Sequence, residues 1–506
     1  EKIGSHANLF TPCRIDVTGK LQKGENTLGV RIESGLYSVA EKSAQDYNRS
    51  LDHKLHKRAW LRKPQCQFSW DWSPRLVNVG IPGSVRLEWT DTARIDALTV
   101  YSTLEDDHKA ATIEVRAFVD NIIEPCDAIL RVRVPEVDKV IEKPVTLKAG
   151  LSQQNVSVII DNPKLWWPRP HGDQPLYTVE VEIEINGKIT DSAKRRTGIR
   201  KVELKHDPHP DGGRYFIIEV NGKPIFAKGG NWVPADTIYA TMTPERYREL
   251  VEIAVDANFN CLRIWGGGLY ADHAMLEACD ELGIMVWHDF IFACSKYPSD
   301  DPEFLANVKE EITHQVRDLS PHPSLVVWCG NNELEWGAWG WGYDKDKAWP
   351  DYALYHFVIP RIMSEEDPSK PYWRSSPYSL DFKYPNDRTT GDQHPWQVSL
   401  GEEGTNFWWY RSDYSRFPNE GGVLGATGLT TLKQFLPEGQ RKVFSPVWEF
   451  HDNACNYWTS GGICYQALED WLGLKPEEVS FDDYAFLSGL LQAEGLREYI
   501  TNYRRR

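Results

Sequence analysis

The segment Ser324-Leu-Val-Val-Trp-Cys-Gly-Asn-Asn-Glu333 constrains the fold of this chain more than any other. Six residues, almost all apolar or β-branched, run without the alternation that marks a half-solvated strand. A continuous apolar run of that length is the pattern of a strand buried on both faces, and such strands belong to parallel sheets covered by helices. The run then stops in two amides and a carboxylate. In a β/α barrel the reacting groups sit where the parallel strands end. Asn331, Asn332 and Glu333 therefore stand where chemistry is done rather than where a fold needs polarity.

The rest of the chain divides by its periodicity. Residues 1–90 alternate polar and apolar positions in short runs, as in Thr27-Leu-Gly-Val-Arg-Ile32 and Ser84-Val-Arg-Leu-Glu-Trp89, with turn signals between them. That is an all-β pattern. Residues 91–198 continue it, for example in Ala111–Ala117, Asn155–Ile160 and Tyr177–Ile183, over a length that suits an immunoglobulin-like sandwich. From residue 199 to 506, strands alternate with helices, which predicts βαβ units and a (β/α)8 TIM barrel. Its strands are expected at Ile225–Gly230, Cys261–Trp265, Ile284–Asp289, Ser324–Cys329, Tyr372–Ser376, Gly391–His394 and in the segment ending at Glu420. Thr243 and Pro244 open a helix whose inner face carries Leu250, Ile253, Ala254 and Ala257, and Gly283 closes the next one. A last helix over 482–503 comes before any eighth strand. The expectation is a multidomain β plus α/β chain whose barrel is truncated before its eighth strand and whose first domain is incomplete.

Bulk properties exclude several classes. A net charge of −16 with no basic cluster is the wrong balance for tracking phosphates, so no nucleic-acid partner is expected. No apolar run approaches the roughly 20 residues a membrane helix needs. The nine cysteines are dispersed, with no CxxC pair and no disulfide framework. Cys261, Cys279, Cys294 and Cys329 lie in apolar stretches that predict buried, reduced thiols, which points to a reducing, cytoplasmic setting. Tryptophan is abundant, at 21 residues. Most of these belong to a large core, but Trp336, Trp339 and Trp341 sit beside polar residues in expected loops, where indole faces suit sugar rings.

A second carboxylate, Glu420, ends the segment Arg416-Phe-Pro-Asn-Glu420 and is followed by two glycines. Two carboxylates on separate strand ends of one barrel are what glycosidic bond cleavage requires. In retaining enzymes they stand about 5–5.5 Å apart, one as acid/base and one as nucleophile. Glu333 would be the acid/base, and the Asn332 amide is suited to a sugar 2-hydroxyl. The plainer reading of Asn-Glu is a helix cap with its first-turn acid. The rival acid Glu335 lies past the strand, on an expected solvated face. Arg263 lies inside an apolar strand and needs a buried partner. Trp265 precedes Gly266-Gly-Gly268, where absent side chains would let a ligand approach. That run lacks the features of a phosphate loop. His288, Asp289 and His394 fall at strand ends without metal-ligand spacing, so no metal is expected. No Gly-x-Ser-x-Gly elbow occurs.

Four motifs together resemble the β-mannosidases of glycoside hydrolase family 2: Gly230-Asn-Trp-Val-Pro-Ala-Asp236, Leu262-Arg-Ile-Trp-Gly-Gly-Gly268, Gly283-Ile-Met-Val-Trp-His-Asp-Phe290 and His322–Glu333. Arg62–Arg75 is similar to the family segment that reaches from the first domain into the active site, and Leu165–Tyr177 to its sandwich-domain signature. The resemblance implies a jelly-roll-like, sugar-binding-like first domain. It implies a retaining, exo-acting β-mannosidase that releases terminal non-reducing β-D-mannose by double displacement without a cofactor, from a β-mannoside oligosaccharide or glycoconjugate. Glu333 would be the acid/base and Glu420 the nucleophile. Asn332, Arg263, Trp265, Asp71, Trp72, Trp341, His394 and Trp396 would bind substrate, with Arg263 also supporting the nucleophile. Two segments depart from the family pattern. Glycines follow Glu420 where an aromatic wall is usual, and His394-Pro-Trp396 lacks the tyrosine that bonds the nucleophile, for which Tyr410 and Tyr414 are the candidate replacements. Exo-β-glucosaminidase, endo-β-mannosidase and an inactive carbohydrate-binding homologue are the alternatives.

Overall fold

Strands that bury alternate residues need a second sheet to bury them against, and residues 93–197 supply both. Strands β3 (Ala93–Leu104), β4 (Ala110–Asn121) and β7 (Gly150–Asp161) form one antiparallel sheet. β5 (Cys126–Val134), β6 (Lys139–Leu147), β8 (Tyr177–Ile185) and β9 (Lys188–Thr197) form the other. In β8 every second residue from Tyr177 to Ile185 is buried, and in β4 Ala111, Ile113, Val115 and Ala117 are buried. These side chains interleave with Val100, Leu130, Val132, Val156 and Val158 in a single apolar core. This is a seven-stranded sandwich.

The computed structural model describes residues 1–42, 57–340, 352–451 and 463–505. Trp341 lies outside the described residues. The chain clusters into two units. One comprises Glu1–Gln65, Asn78–Lys205 and Ile217–Ser375; the other comprises Cys66–Val77, His206–Phe216 and Ser376–Arg506.

In the first unit a small antiparallel sheet, β10 (Val202–Lys205), β11 (Ile217–Val220) and β12 (Lys223–Ile225), leads into five parallel strands in sequential order. These are β13 (Gly229–Trp232), β14 (Cys261–Ile264), β15 (Met285–Asp289), β16 (Leu325–Cys329) and β17 (Tyr372–Trp373). Every residue of β14, β15 and β16 is buried, as continuous apolar runs require. Helices α1 (Pro244–Asp256), α2 (His273–Leu282), α3 (Pro302–Leu319) and α5 (Ile359–Glu366) contribute to the adjoining core, and the short α4 (Leu334–Gly340) follows β16. Thr243 accepts from the Arg246 N–H as the N-cap of α1, and Gly283 ends α2 in the left-handed conformation. Arg62 enters this core with its guanidinium on Glu311 of α3 at 2.6 and 2.8 Å, while Tyr270 and Asn8 donate to the same carboxylate.

Several expectations shift with this architecture. The first parallel strand is Gly229–Trp232 rather than Ile225–Gly230, because Lys223–Ile225 pairs antiparallel with β11 and leaves the ladder before the parallel sheet starts. Helix α1 turns Val251 and Ala254 inward and leaves Ile253 exposed. No strand forms among the described residues of 1–42, nor over 78–92. Leu28, Val30, Val85 and Leu87 are all more than half exposed. Alternation marks a strand only where a neighbouring strand takes up its N–H and C=O groups. Gly391–His394 and the segment ending at Glu420 are not ladder strands. A single parallel bridge, Gln393 to Pro418, joins their backbones, and Asp392 makes a separate bridge to Tyr378.

The second unit is built around the long helix α9 (Phe481–Arg505). Before it in the chain come α6 (Leu429–Phe435), α7 (Pro446–His451) and α8 (Ile463–Leu472). Its core contains Val398, Phe407, Tyr410, Leu432, Trp448, Leu468, Tyr484 and Leu491. A hairpin of β1 (Phe68–Trp70) and β2 (Ser73–Arg75) also belongs to this unit. No helix among the described residues is long and apolar enough to cross a membrane.

Candidate functional site

In the first unit the ends of four parallel strands converge on one guanidinium. Arg263 lies on β14 and is 3% exposed. The parallel register sets Asn231 of β13 beside it on one side and β15 on the other. Its Nη2 donates to Asp289 Oδ2 at 2.7 Å and to Asn332 Oδ1 at 2.8 Å, and Nη1 donates to Asn231 Oδ1 at 2.8 Å. The buried partner demanded by this arginine is therefore Asp289, one strand away. The Trp287 indole N–H and the Gly266 N–H also donate to that carboxylate. Burial pushes the Asp289 carboxyl above its ordinary range, and these donors oppose the shift.

Asn332 is thus aimed by its neighbours. Its Oδ1 takes the Arg263 bond, and its Nδ2 lies 3.4 Å from the Cys294 sulfur, whose thiol is 3.3 Å from Glu333 Oε2. Cys294 is only half-buried and faces these polar groups, so it is not the apolar core thiol that its sequence context predicts. Cys261, Cys279 and Cys329 are buried, and burial pushes the Cys261 thiol up to about 12. Glu333 is 8% exposed and adopts φ +63°. The capping expected of an Asn-Glu pair is carried by Asn331, whose Oδ1 accepts from the Leu334 N–H and from Ser375. That leaves the side chains of Asn332 and Glu333 outside the cap.

Other expectations in this unit are corrected. Glu335 is not on a solvated face but is paired with His356. Trp336 and Trp339 lie in α4, not in a loop. Trp265 is buried, at 3% exposure. The glycines after it are required by close packing within the protein. A Cβ on Gly266 would come within 2.5 Å of the Phe292 carbonyl oxygen, and one on Gly267 would strike the Trp265 ring. His288 accepts from the Ala271 N–H through Nε2 and donates through Nδ1 to the Asp289 carbonyl. Both ring nitrogens are thus engaged, and burial pushes its pKa down to about 3, which holds the ring neutral.

In the second unit the other carboxylate, Glu420, has its own retinue. His394 Nδ1 lies 2.7 Å from Glu420 Oε2, and the Trp396 indole N–H reaches the same oxygen at 3.4 Å. His394 is fully buried, and the Asn386 side-chain amide pins its backbone, donating to its carbonyl and accepting from its N–H. Its Nε2 lies 2.9 Å from Ser376 Oγ, which donates to Asp392 Oδ2 at 2.5 Å. Asn419 Nδ2 reaches both Ser376 Oγ and Asp392 Oδ2. His394 thus takes the place expected of a tyrosine beside Glu420. Tyr410 instead donates to the Gly422 carbonyl, and Tyr414 is exposed and lies beside the Arg388 guanidinium. The glycines after Glu420 are required by the backbone, since Gly421 and Gly422 have φ of +142° and +149°. Asp71 and Trp72 form the two-residue turn of the β1–β2 hairpin, and Trp72 is 40% exposed.

Ser376, Asp392, Asn419 and Cys294 carry no motif in the sequence. The one hint was the position of Asp392 two residues before His394.

Residues 1–83 match the model described as glycosyl hydrolase 2 galactose-binding domain-like, and residues 93–200 match that of glycosyl hydrolases family 2. A β-mannosidase B of Aspergillus terreus is 32% identical over 519 residues, 98% of this chain and 59% of that protein. Both matching models are of glycoside hydrolase family 2, and they fall within the first 200 residues. The chain spans about three fifths of the length of the relatives it matches. The crystal structure of a β-D-mannosidase from Dictyoglomus thermophilum superposes with a TM-score of 0.88 at 33% identity, covering 100% of this chain and 61% of that one. An exo-chitosanase of Amycolatopsis orientalis gives a TM-score of 0.62 at 17% identity over 82% of this chain and 48% of its own, a likeness of fold alone.

Proposed function

We propose that the protein is a retaining exo-β-mannosidase acting on terminal β-mannosides of oligosaccharides or glycoconjugates. The observation that carries this reading is the match along the whole chain to a β-D-mannosidase at 33% identity. Glu420 would attack the anomeric carbon as nucleophile while Glu333 protonates the departing oxygen. Glu333 would then take a proton from the water that hydrolyses the glycosyl-enzyme. Asn332, fixed by Arg263, is suited to the sugar 2-hydroxyl, whose bond strengthens in the transition state. Asp71, Trp72, Trp265, Trp341 and Trp396 are assigned to the sugar pocket, and Arg263 to support of the nucleophile. The same reading takes residues 1–90 as a jelly-roll-like sandwich, 91–198 as an immunoglobulin-like sandwich and 199–506 as a (β/α)8 barrel domain.

The test is a panel of nitrophenyl glycosides with wild type and Glu420→Ala, with azide added to the variant. The expected result is hydrolysis of the β-mannoside by wild type, loss in the variant, and rescue as the α-configured mannosyl azide. A β-configured azide product, or a preference for another sugar, sinks the reading.

A further inference from the structure

Hydrogen-bond polarity around His394 leads beyond the assignment of Glu420 as nucleophile, while the role it defines for the histidine rests on that assignment. Asp392 receives the Tyr378 N–H on Oδ1 at 2.8 Å, and Ser376 and Asn419 on Oδ2 at 2.5 and 3.2 Å. Three donors converge on it, so it acts as an acceptor. Ser376 has one hydroxyl proton, and the 2.5 Å contact directs that proton to Asp392. The remaining lone pairs of Ser376 Oγ must then accept. One takes the Asn419 amide at 3.1 Å, and the other faces His394 Nε2 at 2.9 Å. Asn419 cannot be turned about, because its carbonyl oxygen would then oppose both the Asp392 carboxylate and the directed hydroxyl.

It follows that His394 Nε2 carries a proton. A neutral imidazole would then have a bare lone pair at Nδ1, and that atom lies 2.7 Å from a carboxylate oxygen. Two acceptors do not approach so closely, so a second proton lies between them. Trp396 also donates to that oxygen. Of the two sharing the proton, imidazole is the stronger base by about two units. The pair is imidazolium and carboxylate.

We propose that Asp392, acting through Ser376, holds His394 as an imidazolium that keeps Glu420 ionised and aimed. Asp392 and Ser376 are positioning residues, acting on the nucleophile through the histidine without touching it. Charge-assisted bonds of this kind are shorter and about twice as strong as neutral ones, and an ionised carboxylate is the form that can attack.

The readout is the nitrogen NMR spectrum of protein labelled with 15N-histidine at pH 7.5, with the His394 signals assigned by their loss in His394→Gln. Wild type is expected to show both His394 nitrogens protonated at a pH where a free histidine is mostly neutral. Asp392→Asn offers an amide donor to Ser376 Oγ and lets the hydroxyl proton turn towards Nε2. In that variant His394 becomes neutral, and kcat falls by about tenfold with KM nearly unchanged. A neutral His394 in wild type overturns the proposal without reference to any variant, so a poorly folding substitution cannot shield it. A protonated His394 that persists in folded Asp392→Asn removes Asp392 from the mechanism and also overturns it. Failed azide rescue with an intact imidazolium signal would strike the nucleophile assignment alone.

Discussion

At the scale of single residues, Glu333 is held with a backbone φ of +63°, a region that costs a residue with a Cβ about 1–2 kcal/mol. Such strain collects at functional positions, where the surroundings over-determine the geometry. For Glu333 those surroundings are the Asn331 cap on one side and the Cys294 thiol on the other. In its proposed role of acid/base, Glu333 would matter most when the leaving group is poor. Glu333→Gln is expected to lower kcat on mannobiose-like substrates by ~10²–10⁴-fold, and far less on dinitrophenyl mannoside, whose leaving group needs no proton. Steady-state kinetics on both substrates checks it. Equal losses on the two would show that the residue does not donate the proton.

At the scale of elements, the loop after β14 fits because its second residue, Gly266, has no side chain. A Cβ on Gly266 would sit 2.5 Å from the Phe292 carbonyl oxygen and 3.2 Å from the Asn332 nitrogen, backbone atoms that cannot swing aside. Gly266→Ala should therefore cost about 1–3 kcal/mol, read as a lower midpoint in thermal unfolding. It should also reduce turnover, because the Phe292 carbonyl that it displaces accepts the Asn332 N–H. Gly489 provides the contrast. It lies inside α9 with open space around its missing Cβ, so Gly489→Ala should raise stability by about 0.5–1 kcal/mol and leave kinetics untouched. Caps and breakers of this sort were legible in advance at Thr243 and Gly283, since each acts within a few residues of itself. The crowding at Gly266 involves residues 292 and 332, so from the sequence the glycine run suggests room for a ligand instead.

At the scale of the whole molecule, acid stability should depend on His288. Its imidazole is fully buried between β14 and β16 and its folded pKa is pushed down to about 3, against about 6.5 in an unfolded chain. The unfolded state therefore binds the extra proton between these values. The stability from keeping this ring neutral is complete above about pH 6.5 and is lost as the pH falls towards the folded value, at up to about 1.4 kcal/mol per pH unit. Urea unfolding at pH 7.5 and pH 5 should show a smaller acid loss for His288→Gln than for wild type. An equal loss would place the acid sensitivity elsewhere.

What the sequence determined by itself follows from short-range rules. Continuous apolar runs specified the parallel strands β14 to β16, strict alternation specified the sandwich, and the polar stop after Cys329 marked Asn332 and Glu333. These signals survive in one dimension because burial period and capping repeat within a turn or a strand. Only the tertiary structure decided which expected strands acquire partners, since the alternating runs at 27–32 and 84–89 have the right period and form no ladder. It also decided the company of each carboxylate. Asp289 for Arg263, Cys294 for Glu333, and the chain from Asp392 through Ser376 and His394 to Glu420 all join residues by hydrogen bonds whose direction depends on register and loop path. Neither is written in the residues that make them.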